Sequence, residues 1–469
     1  MRHLTAITLL LAMSAPLPAE EDAQNAPGSL DQAFAPLHGE ADQLQQDQPV
    51  EADTDVEVVE VFRAETPEEL EAALADGYPP PWLAEILEDE TIPEEDRYWL
   101  DCRVRAVIAQ DLHLFFDREG NPIRVDADWI APGEEYWREC FLVNPPGDVP
   151  RVEDGPSPTS NVDMDPGLVV DRFGDEIGEI PFCNFSVLLS RDGRIGVTPT
   201  GGVGTRRRSN QCYACFQFPD SGFVEVPIDV IDGYDCALSA DGSRSVFTCR
   251  FAQTSDRDYM AWVFDGSGEL LWKVELPIRP LPGPSAPAVS PDGSVIAIGL
   301  TIDSSDPEDQ GGVLLLDGDT GEEIGFIDHL MGHTIRFTPN GRYLCVSGIS
   351  GAAVFSLADL SIEEVWTISR SDRMETADTK YFHLMCDEGL SACAAFTRDR
   401  TGNPNRVFDF DYEVISRLDG LLLRSEDRMK PDVSPGGVFV VAQTYTIIGH
   451  SLDYYHSLPM SVFKMQGGE

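Results

Sequence analysis

One short phrase recurs six times in the C-terminal part of this 469-residue chain, and it leaves few folds open. A strand ends in a small or polar residue, and a tight turn follows that closes on glycine. The copies are Leu189-Ser190-Arg191-Asp192-Gly193, Leu238-Ser239-Ala240-Asp241-Gly242, Val289-Ser290-Pro291-Asp292-Gly293, Phe337-Thr338-Pro339-Asn340-Gly341, Met385-Cys386-Asp387-Glu388-Gly389 and Val433-Ser434-Pro435-Gly436-Gly437. The closing glycines are 49, 51, 48, 48 and 48 residues apart. Proline fixes φ at the first corner, Asp or Asn binds the local backbone, and glycine takes the positive φ. A β-rich run follows the turn, as in 294–299 and 438–442. A third strand carries Val-Phe or an equivalent, as in Trp262-Val263-Phe264-Asp265 and Arg406-Val407-Phe408-Asp409, and a fourth is seen at 270–274 and 323–327.

Four strands in a repeat of about 50 residues is the size of one propeller blade. The pattern therefore predicts an all-β fold, a six-bladed β-propeller over 167–469; a seventh blade would have to be built around Asn144-Pro145-Pro146-Gly147. The last copy stops after its third strand. Its outer strand is expected from Asp175-Glu176-Ile177-Gly178-Glu179-Ile180, which resembles 322–327, because an N-terminal strand completing the C-terminal blade removes both edges.

The segment before the repeats divides into four parts. Residues 1–19 run from a basic start through an apolar core, Leu4 to Met13, to small residues before Glu20, the order of a secretory signal peptide. The expected location is thus exported, periplasmic or extracellular. Residues 20–60 hold twelve acids and no Lys or Arg, so 20–62 reads as an acidic disordered leader. Over 63–144 a small helical unit with a strand-turn extension is expected. Thr66-Pro67-Glu68-Glu69 and Thr91-Ile92-Pro93-Glu94 have capping-box spacing, and Tyr98, Trp99, Cys102, Ala106 and Ala109 recur at helical intervals. Residues 145–166, rich in Pro, Asp, Gly and Ser, read as a linker.

The net charge is −49, from 33 basic and 82 acidic residues. Such a field repels phosphate, which excludes sequence-independent nucleic-acid binding and disfavours docking on anionic membranes. No later stretch reaches the roughly 20 apolar residues of a transmembrane helix. The charge is uneven: residues 20–100 carry 24 acids against Arg63 and Arg97, a net of −22.

Turns reading Ser-Pro-Asp-Gly, with Gly332-His333 at a blade entrance, resemble the WD-repeat-like propellers, including the periplasmic TolB type. The phrase Leu316-Asp317-Gly318-Asp319-Thr320-Gly321 also resembles blades of pyrroloquinoline-quinone enzymes. That likeness would imply a vicinal cysteine pair and a calcium-bound cofactor at the ring centre, yet no two cysteines are adjacent. Oxygens of Asp317, Asp319 and Glu323 could converge on calcium, although the phrase reads first as a strand-to-strand turn. His329 and His333 have metal spacing only on a helix, and here they flank a glycine in a loop. Cys212-Tyr213-Ala214-Cys215 has no second ligand pair for zinc, and Arg206-Arg207-Arg208 reads as a solvated loop. No G-x-S-x-G nucleophile elbow occurs.

Export makes disulfides expected among the ten cysteines. Cys236/Cys249 and Cys386/Cys393 each flank a repeat turn. With turns centred on 241–242 and 388–389 each pair is diagonal, offset by two on one face, and at least one is expected to bridge. No catalytic or cofactor-binding residue is identified. The expected function is a non-catalytic scaffold, a monomer binding a protein or cell-envelope component. The alternative is a quinone- or metal-dependent enzyme with its site in the channel.

Overall fold

In the computed structural model every repeat turn joins the first two strands of a four-stranded antiparallel sheet, so all six repeats are blades. The structure describes residues 57–133, 136–144, 165–183, 187–200, 212–219, 222–228, 232–251, 259–276, 287–300, 312–328, 332–348, 351–358, 361–369, 380–390, 392–399, 409–416, 420–425, 429–447 and 454–466. The expected signal peptide and all but the end of the leader lie outside these ranges, as do Arg206-Arg207-Arg208 and His329.

The turn chemistry is repeated bond for bond. The Ser190 hydroxyl donates to Asp192 and accepts the N–H of Ile195, while Asp192 accepts the N–H of Arg194. Ser239 with Asp241, Ser290 with Asp292, and Thr338 with Asn340 make the same three contacts. Gly193, Gly242, Gly293, Gly341 and Gly437 hold φ of 70–73°. In the fifth copy Leu390, not Gly389, takes the positive φ, at 57°. The turn there begins one residue later than the glycine spacing suggests. That shift brings Cys386 directly opposite Cys393 rather than diagonal to it, and a disulfide joins them with Cα atoms 4.1 Å apart.

Another four-stranded sheet precedes the repeats, formed by Trp129–Pro132, Cys140–Asn144, Asp165–Asp171 and Glu176–Cys183. It is the further blade that the sequence allowed at Asn144, where its second strand ends. Its partner strand starts only at Asp165, which is why no hairpin shows there. The sheets thus begin before residue 167, and the two ends of the expected linker stand in one blade. The strand at Glu176–Cys183 is an outer strand, as read, but of this first sheet. The last sheet is completed instead by Glu57–Ala64, paired along the Tyr454–Gln466 strand from Glu57↔Gln466 to Ala64↔Met460. The end of the acidic leader is therefore a strand. Its alternation is interrupted by a register shift between Glu60 and Phe62, which hides the period of two.

Three helices follow that strand: α1 (Pro67–Ala73), α2 (Pro81–Glu88) and α3 (Glu94–Leu112). Thr66 caps α1 as expected, accepting the N–H of Glu69. Thr91 does not cap α3, because its hydroxyl goes to Asp89 and Pro93 takes the cap position. Helix α3 is apolar on more than one face because it is buried on two sides. Trp99, Leu100, Val104, Val107, Ile108 and Leu112 pack with Phe439, Val441, Met460 and Val462 of the last sheet. Ala106 and Ala109 pack with Ile130, Phe141, Val143 and Val170 of the first. The helix is thus a wedge between the last and first sheets, and the ring closes through it.

Polar groups fix the wedge. The sixth turn, Ser434-Pro435-Gly436-Gly437, lacks the Asp or Asn of the first four copies, and Asp96 of α3 supplies the carboxylate from outside. It accepts the N–H of Gly436 at 2.8 Å and faces the Ser434 hydroxyl and the Val438 N–H, the counterparts of the donors that Asp192 serves. A Cβ at Gly436 would stand 2.3 Å from Asp96 Oδ2, so this glycine makes the approach possible. Further along, Asp111 accepts the N–H of Leu458.

Asp96→Ala leaves the Gly436 N–H without its acceptor and should lower stability by about 1–3 kcal/mol in urea unfolding. Burial pushes the Asp111 carboxyl up to about 6, so the folded chain takes up this proton before the unfolded one does. Its contribution to stability is greatest in acid and is lost as pH rises towards and through 6. Asp111→Asn removes that dependence. The melting temperature of the variant relative to the parent should therefore rise between pH 4.5 and pH 7.5 in paired thermal melts.

Candidate functional site

The innermost strands of the six repeat blades surround a channel. Because their registers are equivalent, one position on each falls at the same depth: Leu188, Ala237, Ala288, Arg336, Met385 and Asp432. All six line one cavity of about 630 Å³. Three successive blades give it a Leu-Ala-Ala wall, and the small alanines leave room in the channel. The next three blades place a guanidinium, a thioether and a carboxylate opposite.

The mouth of the cavity is a rim of repeat turns bonded to one another. Arg191 donates its N–H to Ala240 O, Asp241 to Pro291 O, and Glu388 to Pro435 O. Between the third and fourth turns Pro291 and Pro339 have no N–H to give, and Gly341 packs against the Pro291 ring instead. The fourth turn reaches the fifth through the Asn340 amide, which donates to Glu388 O. In the first sheet the corresponding connection contains Tyr136, Trp137, Arg138 and Glu139. The Arg191 guanidinium bonds Glu139 at 2.6 Å and lies 4.2 Å above the Trp137 ring. The Tyr136 hydroxyl donates to Val433 O at 3.0 Å, linking this connection to the last blade. Burial holds the Tyr136 phenol protonated, well above its ordinary pKa.

Arg103 reaches the cavity from α3. It is 1 % exposed, stacks 5.0 Å from Trp99, and its Nη1 is 3.0 Å from Asp432 Oδ2. The carboxylates at the mouth are engaged: Glu139 by Arg191, and Asp192 and Asp241 inside their own turns. Sequence reasoning missed Arg103 because it stands among the apolar positions of a helix. Arg336 and Asp432 were visible, but nothing marked them as neighbours in depth until the strand registers were known.

Of the residues singled out in the sequence, Asp317 stands in the turn between the third and fourth strands of its blade. It accepts the N–H groups of Asp319 and Thr320 and the Thr320 hydroxyl, bonds that hold its carboxyl below the ordinary range. Asp319 pairs with Arg244 of the preceding blade, and exposed Glu323 opens the outer strand. Asp317 is thus used within its turn and Asp319 in an ion pair between blades, and no cluster of three metal-ligating side chains occurs among the described residues. Cys212 and Cys215 lie three apart on one strand, and the Cys212 side chain lies outside the described residues. Tyr234 stands opposite Cys249 and Phe247 opposite Cys236, the diagonal placement expected; the Cys249 side chain lies outside the described residues. The His333 side chain does as well.

No protein-family model matches the chain, and neither does any curated protein. Solved structures match the chain at low similarity. A structure described as a crystal structure of the eukaryotic initiation factor is 9 % identical with a TM-score of 0.38, over 66 % of this chain and 73 % of that one. A Kuenenia stuttgartiensis hydrazine synthase chain is 14 % identical with a TM-score of 0.39, over 69 % of this chain and 95 % of its own.

Peptide mapping without reductant should recover the segments containing Cys386 and Cys393 as one linked species. Recovery of both as thiols from protein isolated without reductant would contradict the bridge.

Proposed function

We propose that this chain is an exported, non-catalytic propeller that binds a protein or cell-envelope component at the mouth of its channel. The rim of mutually bonded turns carries this reading. It holds the mouth in one shape, so a partner meets a site that does not have to be ordered on contact. Loops on such a scaffold vary without disturbing the sheets, and specificity resides there. The resemblance of the Ser-Pro-Asp-Gly turns to WD-repeat-like and TolB-type propellers supports the same reading. The order of charge, apolar core and small residues at the N-terminus supports a periplasmic or extracellular setting. The overall negative charge directs the partner class away from nucleic acid and towards proteins. The protein acts as a monomer in this account.

Cross-linking in the envelope fraction of the native host tests the proposal. A partner captured by the parent chain and lost with Ala240→Trp, which places a large ring on the rim, is the expected result. Equal capture by both overturns the mouth as the contact surface. A stoichiometric metal or an absorbing cofactor in protein purified from the host overturns the non-catalytic reading.

A further inference from the structure

Most of the described charges that line the channel are answered among themselves. Arg103 meets Asp432 at 3.0 Å and Arg191 meets Glu139 at 2.6 Å. Asp192 and Asp241 each accept a hydroxyl and an N–H inside their own turns. A net charge of −49 turns away small anions, and Arg336, at the depth of the alanines, turns away a buried cation. The cavity of about 630 Å³ lies within the roughly 300–1,000 Å³ of small-molecule sites, and it is left to an uncharged occupant. Its two walls differ. Leu188, Ala237 and Ala288 make a low apolar face, and opposite it stand half-buried Arg336 and Met385. Both of these side chains favour an aromatic ring over an aliphatic body. A guanidinium hydrogen-bonds in its plane and receives a ring on its face, and a thioether sulfur is attracted to a ring edge. Towards the mouth, Pro291 and Pro339 add apolar rings that carry no N–H.

We propose that the channel binds an uncharged aromatic ring, held between the Leu188, Ala237 and Ala288 wall and the side chains of Arg336 and Met385. Burial of the ring supplies most of the attraction, and the guanidinium and the thioether supply the preference for a π-system. Two sources have this chemistry, a small phenol-like compound and the aromatic side chain of a partner protein. The inference rests on the mouth being the contact surface and names what enters it, yet the two fail separately. Ring binding with partner capture that ignores the rim removes the scaffold reading alone. Capture that depends on the rim, without ring binding, removes this inference alone.

The test is titration of the full chain, followed by calorimetry and saturation-transfer NMR. The probes are p-cresol with its saturated counterpart 4-methylcyclohexanol, and acetyl-Gly-Phe-Gly-amide with the same peptide carrying cyclohexylalanine. At least one aromatic probe should bind, about fivefold or more tightly than its saturated counterpart. Saturation makes the body more apolar, so burial alone gives the opposite order. The tighter of the two aromatic probes identifies the source. Arg336→Leu keeps the wall apolar and should abolish the preference for the ring, while Met385→Leu should reduce it, a readout that remains if the first variant does not fold. Ala288→Phe fills the cavity and should abolish binding of every probe. Failure of both aromatic probes to bind, equal or tighter binding of the saturated probes, a preference unchanged in the folded variants of Arg336 and Met385, or undiminished binding by folded Ala288→Phe overturns the proposal.

Discussion

A helix buried between two sheets needs partners for the polar groups it carries, and α3 finds three of them in the last blade. Its Asp96 completes a turn motif whose own carboxylate is missing, its Arg103 meets Asp432, and its Asp111 takes a strand N–H. Apolar packing on both sides supplies the bulk of the attraction, but packing alone tolerates sliding. The three polar contacts fix one depth and one rotation of the helix. That in turn decides where Arg103 enters the channel, and so the character of the cavity follows from how the ring is closed.

The repeat turn is the unit from which the rest can be understood. A hydroxyl, a carboxylate or amide two residues on, and a glycine directly after it make a self-contained hydrogen-bonded corner. The corner is the same in the first four copies and the strand registers of the last two match it, so the inner strands enter the channel at one depth. Rim contacts between successive turns then depend on which backbone N–H groups remain. Proline at the second corner position of the third and fourth turns removes a donor, and packing or an amide side chain takes over at those junctions.

Much of this was legible in the sequence, and the misses have definite causes. The six blades were readable because local chemistry alone specifies the turns. The first sheet was not, since its second and third strands are joined by a long connection and no Ser-x-Asp-Gly corner occurs in it. The strand Glu57–Ala64 was obscured by its acidic composition and a bulge, while the resemblance of 175–180 to 322–327 correctly signalled an outer strand but not the sheet it serves. In the fifth turn Gly389 drew attention from Leu390, whose left-handed backbone is held by burial of its side chain among Cys345, Trp366 and the Cys386–Cys393 pair. For the cavity, composition gave the residue types, but depth is a property of register, and register emerges only when strands are paired.

The pairing of Glu57 with Gln466 also imposes an order of events on synthesis. The strand at 57–64 and the apolar flanks of α3 leave the ribosome early. Their partners at 439–466 are translated only after six other sheets. Throughout that interval an open strand edge and a two-sided apolar helix stand without their final cover, surfaces of the kind that chaperones and proteases recognise. A chain halted before its last blade keeps them exposed. The ring therefore closes only once the last of the seven four-stranded sheets among the described residues has been made.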